Sequence, residues 1–178
     1  MDTKNAIDTN HTSDNQLVSD IIQIIRDGKD KAYTAVNASM IDTYWNVGRR
    51  IVLEEQKGEL RAEYGTQLLK RLAAGLTKEL GKGYSERNLR NFRLFYLQFP
   101  DYEIWHTSVP NLTWSHYRSL LSEENREARY WYMHEAASEN WNVRTLDRNV
   151  GSQYYFRLLQ SQHKEPVIRE MQEKTADY

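Results

Sequence analysis

Residues 64–100 constrain the fold of this chain more than any other stretch. Leucines recur there at three- and four-residue steps as far as Leu80, which is the spacing of one apolar stripe along a helix. Gly81 and Gly83 then interrupt the pattern, because glycine adopts positive φ angles that strain other residues. Ser85 is suited to cap a second helix through its hydroxyl group. The stretch therefore predicts two helices joined by a short glycine turn, which is a helix-turn-helix-like unit.

The second helix of this unit, which Pro100 ends, has one aromatic face and one polar face. Its polar face carries arginine and asparagine near the N-terminus, where a recognition helix presents the side chains that pair with guanine and adenine edges. We predict that residues 85–93 enter the major groove of double-stranded DNA. A solvated amphipathic helix has the same pattern, so both interpretations stay open. We expect base contacts from Arg87, Arg90 and Asn91, phosphate contacts from Lys78, Lys82 and Arg93, and Ser85 at the start of the helix.

Basic charge is concentrated in the same part of the chain. Residues 61–93 hold eight Lys and Arg against three Glu, which is a local net charge of +5. Residues 1–60 and residues 94–178 each carry −3, and the whole chain carries −1. Because a phosphate-binding surface needs a local excess of cations, this distribution favours the nucleic-acid interpretation.

The composition favours an all-α fold, in the form of one compact helical domain. The chain has only three prolines and few β-branched runs, and five Trp and twelve Tyr supply bulky core material. Its mean hydropathy is −0.83, and it contains no cysteine, which excludes disulfides and thiolate chemistry. No apolar run approaches the roughly 18 residues of a membrane span, and no signal-peptide core is present at the N-terminus. We therefore expect a cytoplasmic protein that does not enter a membrane.

The apolar pattern divides the chain into three parts. Residues 1–15 are polar and are predicted to be a disordered N-terminal tail. Residues 16–164 carry the periodic apolar positions of the helical domain, beginning with a short helix that fades near Gly28 and a longer one over residues 30–56. Residues 165–178 are charged and have few apolar residues, so we interpret them as a C-terminal linker or extension.

Gly48 lies inside the longer of these two helices. A glycine in a helix interior costs about 1 kcal/mol relative to alanine. Its position between Trp45 and Ile51, which are typical core residues, indicates a buried face and a close approach by another helix.

No catalytic motif in the sequence is complete. His134-Glu135 lacks the second histidine of a zinc-protease helix. Asp42 followed by Glu55-Gln56-Lys57 superficially matches a D…ExK nuclease site, but the stretch is predicted to be a helix end and a turn rather than a strand. His116 fits a capping or core-lining histidine better than a catalytic base. We therefore predict no catalytic residues, no metal site and no cofactor on this chain.

Four blocks of sequence resemble the N-terminal domain of the YhcG family, also called domain of unknown function 1016. The first, YWNVGRRI, is similar to the YW-x-I-G-x-x-I motif that opens this domain. Any one block is weakly specific, whereas four in the same order over residues 20–164 are specific. The blocks are Tyr44–Ile51, Tyr64–Tyr96, Leu112–Leu121 and Arg129–Leu158.

This resemblance implies a function. YhcG-type proteins are bacterial and resemble two-part nucleases, with a helical N-terminal part regarded as DNA-binding and a C-terminal domain similar to PD-(D/E)XK endonucleases. The nuclease carboxylates and lysine have no counterpart here, so we expect either a fragment or a stand-alone relative with a separate nuclease subunit. We predict a DNA-binding module, without enzyme activity of its own, that targets a nuclease or defence system.

The alternative function is a protein-interaction or dimerisation module that forms homo-oligomers without binding nucleic acid. Its interface would be built from aromatic residues, which are enriched both at interfaces and in protein interiors. The interior interpretation is the more favoured of the two. The aromatic residues concerned are Trp105, Trp114, Trp131 and Trp141.

Overall fold

The computed structural model describes residues 5–57, 62–102, 109 and 111–178, with side chains from residue 15 onward except 57 and 62–66. Within these residues the regular elements are helical and no strand occurs, so the predicted all-α fold is confirmed. A 3₁₀ turn, Lys82–Tyr84, separates the second and third helices. The helices are α1 (Asn5–Lys57), α2 (Ala62–Leu80), α3 (Glu86–Gln98), α4 (Trp114–Leu120), α5 (Arg126–Ser138), α6 (Val143–Gly151), α7 (Tyr154–Gln160) and α8 (Lys164–Thr175).

The chain divides into two units, Met1–Asn37 and Ala38–Tyr178. The described part of the first unit is the N-terminal portion of α1, in which every residue from Asn15 to Val36 is exposed. The helix break predicted near Gly28 is wrong, because α1 continues through this residue. One glycine lowers helix stability by only about 1 kcal/mol, which a long helix tolerates. The predicted boundaries of a tail and of a C-terminal extension stay predictions.

The larger core cluster of the second unit combines aromatic and aliphatic side chains. Trp45 of α1 packs edge-on against Tyr96 of α3, and its Nε1 donates a hydrogen bond of 2.9 Å to the carbonyl oxygen of Phe99. Trp114, Trp131 and Trp141 pack against the same cluster, which favours their interpretation as interior residues. Trp105 lies outside the described residues. The fully buried members include Phe95, Phe99, Tyr117, Tyr132, Met133 and Leu146.

A second core cluster joins α1, α2 and α3. It consists of Ile51, Leu69, Leu89 and Phe92, and the ring of Phe92 stacks on Tyr44 with 4.3 Å between ring centroids. Burial of these residues fixes the helix that carries the predicted DNA-binding side chains. The rings therefore anchor α3 from one side only.

His116 is a structural residue, as the sequence predicts. It is buried, and its Nδ1 accepts a hydrogen bond of 3.1 Å from the backbone N–H of Thr113, which caps α4. This leaves Nε2 to donate to the carbonyl oxygen of Trp141 at 3.0 Å. Burial lowers the pKa of the imidazole, so the neutral form is favoured.

The C-terminal helix α8 packs on the second unit through two apolar side chains. Val167 and Met171 contact the larger core cluster, and Glu170 forms an ion pair with Arg157 of α7. These contacts position at least the first two turns of α8 on the rest of the unit.

Candidate nucleic-acid interface

The turn between α2 and α3 is set by Gly81 and Ser85. Gly81 has a φ angle of 86°, and its N–H donates a hydrogen bond of 3.0 Å to the carbonyl oxygen of Thr77, which ends α2. Ser85 has an extended backbone, and its Oγ accepts from the N–H of Asn88 at 3.3 Å, as an N-cap residue does. The side chain of Asn88 donates in turn to the carbonyl oxygen of Gly83 at 2.9 Å. These bonds hold the N-terminus of α3 at a fixed position after the turn.

The exposed face of α3 begins with polar residues and ends with leucines. Arg87 and Arg90 are exposed and Asn91 is half-buried, while the aromatic face is buried as predicted. Leu97 is 45% exposed and follows Arg90 by seven residues, so both project from nearly the same side of the helix. The half-buried Leu94 lies between them on that face. These two leucines were not predicted, although their spacing from Arg90 could have identified them.

Three of the predicted cations are exposed to solvent. Lys78 lies in the last turn of α2, Lys82 in the 3₁₀ turn, and Arg87 in the first turn of α3. Among the residues that the structure describes, none of the three forms an ion pair or a side-chain hydrogen bond. Their charges are therefore open to an external anion.

Arg90 is held by a neighbour on its own helix. Its guanidinium lies 2.9 Å from a carboxylate oxygen of Glu86, and both side chains remain well exposed. Ion pairs of this i,i+4 type stabilise by only about 0.3–0.5 kcal/mol in water. Arg90 can therefore exchange Glu86 for another anion at small cost.

Arg93 is engaged within the protein. Its Nε donates a hydrogen bond of 2.6 Å to Glu55 of α1, and only 33% of the Arg93 side chain and 17% of the Glu55 side chain are exposed. This ion pair links α1 and α3 across 38 residues of sequence. Arg93 thus differs from the other predicted cations, because binding an external anion would require it to break a partly buried ion pair with another helix.

We expect the pair of Arg93 and Glu55 to stabilise the fold measurably. In a double-mutant cycle with Arg93→Ala and Glu55→Ala, urea denaturation should give a coupling free energy of about 1 kcal/mol, because the pair is partly shielded from solvent. The matched control is the exposed pair of Arg90 and Glu86, for which the coupling should stay near or below about 0.5 kcal/mol. Equal coupling in the two cycles would contradict a structural role for Arg93.

An apolar cavity lies between α1, α2 and α3, beside the candidate interface. It has a volume of about 490 Å³, and its charged lining among the described residues is limited to Arg50 and Glu54. The aliphatic side chains that make up the rest of its walls are not suited to reading base edges. This apolar lining consists of Val47, Ile51, Leu68, Leu72, Leu76 and Leu89.

The D…ExK-like residues do not come together. Asp42 and Glu55 both belong to α1, and 13 helical residues separate them by about 20 Å. Asp42 accepts a hydrogen bond of 2.7 Å from the hydroxyl of Tyr102, whereas Glu55 pairs with Arg93. In the described ranges, no three His, Asp or Glu side chains are grouped to hold a metal ion. No helix in those ranges is long and apolar enough to cross a membrane.

Comparison with known proteins relates this chain to one family. The DUF1016 N-terminal domain matches residues 20–157. The protein of Escherichia coli (strain K12) named "Putative nuclease YhcG" is 36% identical over 185 residues, which cover 87% of this chain and 49% of that protein. The chain thus spans about half the length of this relative, and no solved structure matches it significantly. The resemblance of the four sequence blocks is confirmed, and the chain belongs to the DUF1016 N-terminal domain family.

Proposed function

We propose that this chain is the DNA-binding part of a YhcG-type nuclease or defence system and brings the nuclease to double-stranded DNA. The observation that supports this function most directly is the exposed N-terminal half of α3. It presents Arg87 and Arg90 to solvent, while Leu89 and Phe92 anchor the opposite face. Family membership and the name of the relative, a nuclease, support the association with nuclease chemistry.

In this proposal α2, the glycine turn and α3 act as a helix-turn-helix unit. The N-terminal half of α3 enters the major groove, where Arg87 and Asn91 reach base edges and Arg90 exchanges Glu86 for a guanine or a phosphate. Lys78 and Lys82 bind phosphates from the end of α2 and the turn. Ser85 keeps its capping role, and the pairing of Arg93 with Glu55 makes its contribution to phosphate binding the smallest of the set.

Catalysis in this proposal belongs to a separate nuclease domain or subunit. The relative is about twice as long as the stretch that this chain matches, which leaves room in that protein for a further domain. The described residues hold no group of metal-binding side chains, although a PD-(D/E)XK site would need acidic ligands for its metal. A cytoplasmic location, where chromosomal and invading DNA are both accessible, fits this role.

Replacing Arg87 and Arg90 together with alanine should weaken binding of a labelled mixed-sequence DNA duplex by about ten-fold or more, as measured by fluorescence anisotropy. Arg90 is the member of this pair that can bind a phosphate, so its loss should also make the log–log salt slope shallower, by up to about 0.9. The control is Arg118→Ala with Arg144→Ala, which removes the same charge from exposed positions on α4 and α6. Its affinity should change by less than about two-fold.

Three results would count against the proposal. The first is a wild-type chain that does not bind duplex DNA even at low salt. The second is an unchanged affinity of the Arg87→Ala, Arg90→Ala variant. The third is an equal loss in the control variant, which would indicate attraction by net charge rather than by the surface of α3.

A further inference from the structure

The N-terminal portion of α1 carries a large apolar surface that no described residue of its own unit covers. Six aliphatic residues over positions 17–25 are 42–69% exposed. A helix without tertiary packing is only marginally stable in water, and contiguous exposed apolar surface of this kind marks an interaction site. The six residues are Leu17, Val18, Ile21, Ile22, Ile24 and Ile25.

These residues form one continuous stripe rather than a ring around the helix. At about 100° per residue, all six fall on one half of α1, and Gly28, Ala32 and Val36 extend the same stripe toward the C-terminus. The opposite half is polar, and its side chains bond to one another. There Gln16 donates to Asp20 at 2.8 Å, and Gln23 donates to Asp27 at 2.7 Å. One face of the helix is therefore suited to pack against a partner.

Side-chain size varies along the stripe, and this variation favours one orientation of a partner helix over the other. The bulky aliphatic residues are concentrated over residues 17–25, whereas Gly28, Ala32 and Ala35 lie along the middle of the stripe in its C-terminal half. The larger exposed residues of that half, Tyr33 and Val36, lie at the edge and at the end of the stripe. A Cβ built on Gly28 meets no described atom within 4 Å, so a neighbouring helix could come close there. Two such helices fill space when they run antiparallel, because the bulky residues of each then lie on the small residues of the other. A parallel pair would place bulk on bulk and leave a gap between the small residues.

Charge along the same segment is also complementary to an antiparallel copy. Residues 15–25 carry a net charge of −1 from Asp20, and residues 26–37 carry +1, with three Lys or Arg against two Asp. Antiparallel pairing brings the acidic half of each helix beside the basic half of the other.

We propose that residues 17–36 of α1 bind the same residues of a second copy as an antiparallel helix pair. The contact is isologous, so one surface serves both chains and the assembly closes as a dimer. A lipid surface fits less well, because the polar half of the helix has more Asp than Lys and Arg. This interface lies outside α2 and α3, so it does not depend on the DNA-binding proposal.

Light scattering of the full chain during size-exclusion chromatography tests the dimer. The wild type should elute at twice the chain mass of 21.1 kDa, and Ile21→Glu with Ile25→Glu should elute at the chain mass. The control, Gln23→Glu with Thr34→Glu, adds the same charge to the polar half and should remain a dimer. Thermal unfolding followed by near-UV circular dichroism should be alike in the three proteins, which shows that the second unit stays folded.

A wild-type chain that is monomeric at every concentration would overturn the proposal, and so would a dimer that survives the two glutamates. Direction is tested by cross-linking, which is straightforward because the natural chain has no cysteine. Leu17→Cys mixed with Val36→Cys should form a disulfide between the two different variants, and neither variant alone should do so. Efficient self-cross-linking of each variant would show a parallel pair and reject the antiparallel arrangement.

Discussion

Gly48→Ala is expected to lower the free energy of unfolding by about 3 kcal/mol or more. A Cβ at this position would lie 2.0 Å from the carbonyl oxygen and 2.6 Å from the carbonyl carbon of Phe92, and 3.2 Å from Cβ of Tyr96. The first two are backbone atoms of α3, which cannot move without moving the helix. The added methyl group would therefore separate α1 from α3, although alanine is the better helix former.

The consequences of that separation extend to the candidate interface. Phe92 belongs to the core cluster that joins α1, α2 and α3, and the ion pair of Arg93 with Glu55 crosses the same contact. Moving α3 away from α1 would weaken the packing of this cluster and the ion pair, and it would displace Arg87 and Arg90. We therefore expect Gly48→Ala to weaken DNA binding together with stability.

Urea denaturation followed by tryptophan fluorescence measures the effect. Gly75→Ala is the matched control, because Gly75 is an exposed glycine within α2 whose Cβ would meet no described atom within 4 Å. This control should raise the unfolding free energy by about 1 kcal/mol through helix propensity alone. If both substitutions stabilise the protein, the close approach of α1 and α3 at Gly48 is wrong.

Arg129→Ala should be the second most damaging change, with a loss of about 3 kcal/mol. Arg129 is only 5% exposed, and its guanidinium donates to the carbonyl oxygens of Glu123 at 2.7 Å and Gln98 at 3.2 Å. It also lies over the ring of Phe99, 5.5 Å from the centroid. Alanine leaves these carbonyl groups without their donor and opens a cavity beside the ring.

The geometry accounts for a charge at this buried position. Burial lowers the pKa of the Arg129 guanidinium, and the nearby Tyr130 and Glu123 oppose that shift. Gln98 is the last residue of α3, so its carbonyl has no partner further along the helix, and a cation at a helix C-terminus is favoured by the helix dipole. The hydrogen bond from Arg129 to Gln98 thereby links α5 to the C-terminus of α3.

Urea denaturation of Arg129→Ala should be compared with that of Arg126→Ala. Arg126 lies on the same helix and pairs with Asp101, but 67% of its side chain is exposed, so its loss should cost less than about 1 kcal/mol. Similar denaturation midpoints for the two variants would show that the bonds of Arg129 to the carbonyl groups contribute little.

Local features of the candidate site could be predicted from the sequence. The glycine turn, the capping by Ser85 and the buried aromatic face of α3 follow from short-range rules of backbone conformation and periodicity, and the structure has all three. The close approach at Gly48 was also predicted, because a glycine among core residues of a helix removes the side chain that would keep a second backbone away. These features depend on neighbours within one or two helical turns.

Features that depend on distant residues were missed or misjudged. The pairing of Arg93 with Glu55 joins residues 38 positions apart, and nothing in the pattern around Arg93 separates it from Arg87 or Arg90. The exposure of Leu97 depends on what packs over α3. The break expected at Gly28 was wrong for a local reason instead, because helix propensity is a weak preference that one glycine does not overcome in a long helix.

The periodicity of apolar residues was sufficient to predict a helical fold and the position of the two helices joined by the glycine turn. The order of the sequence motifs was sufficient to predict the family of the chain. Which cations are available to an anion became known only from the packing of the helices. Lys78, Lys82 and Arg87 remain exposed, while Arg93 and Arg129 are held by α1 and by backbone carbonyl groups. The difference arises because the exposure of a cation and its nearest charged or polar partner decide whether it can bind an external anion. For Arg93 and Arg129, folding brings those partners in from distant parts of the chain.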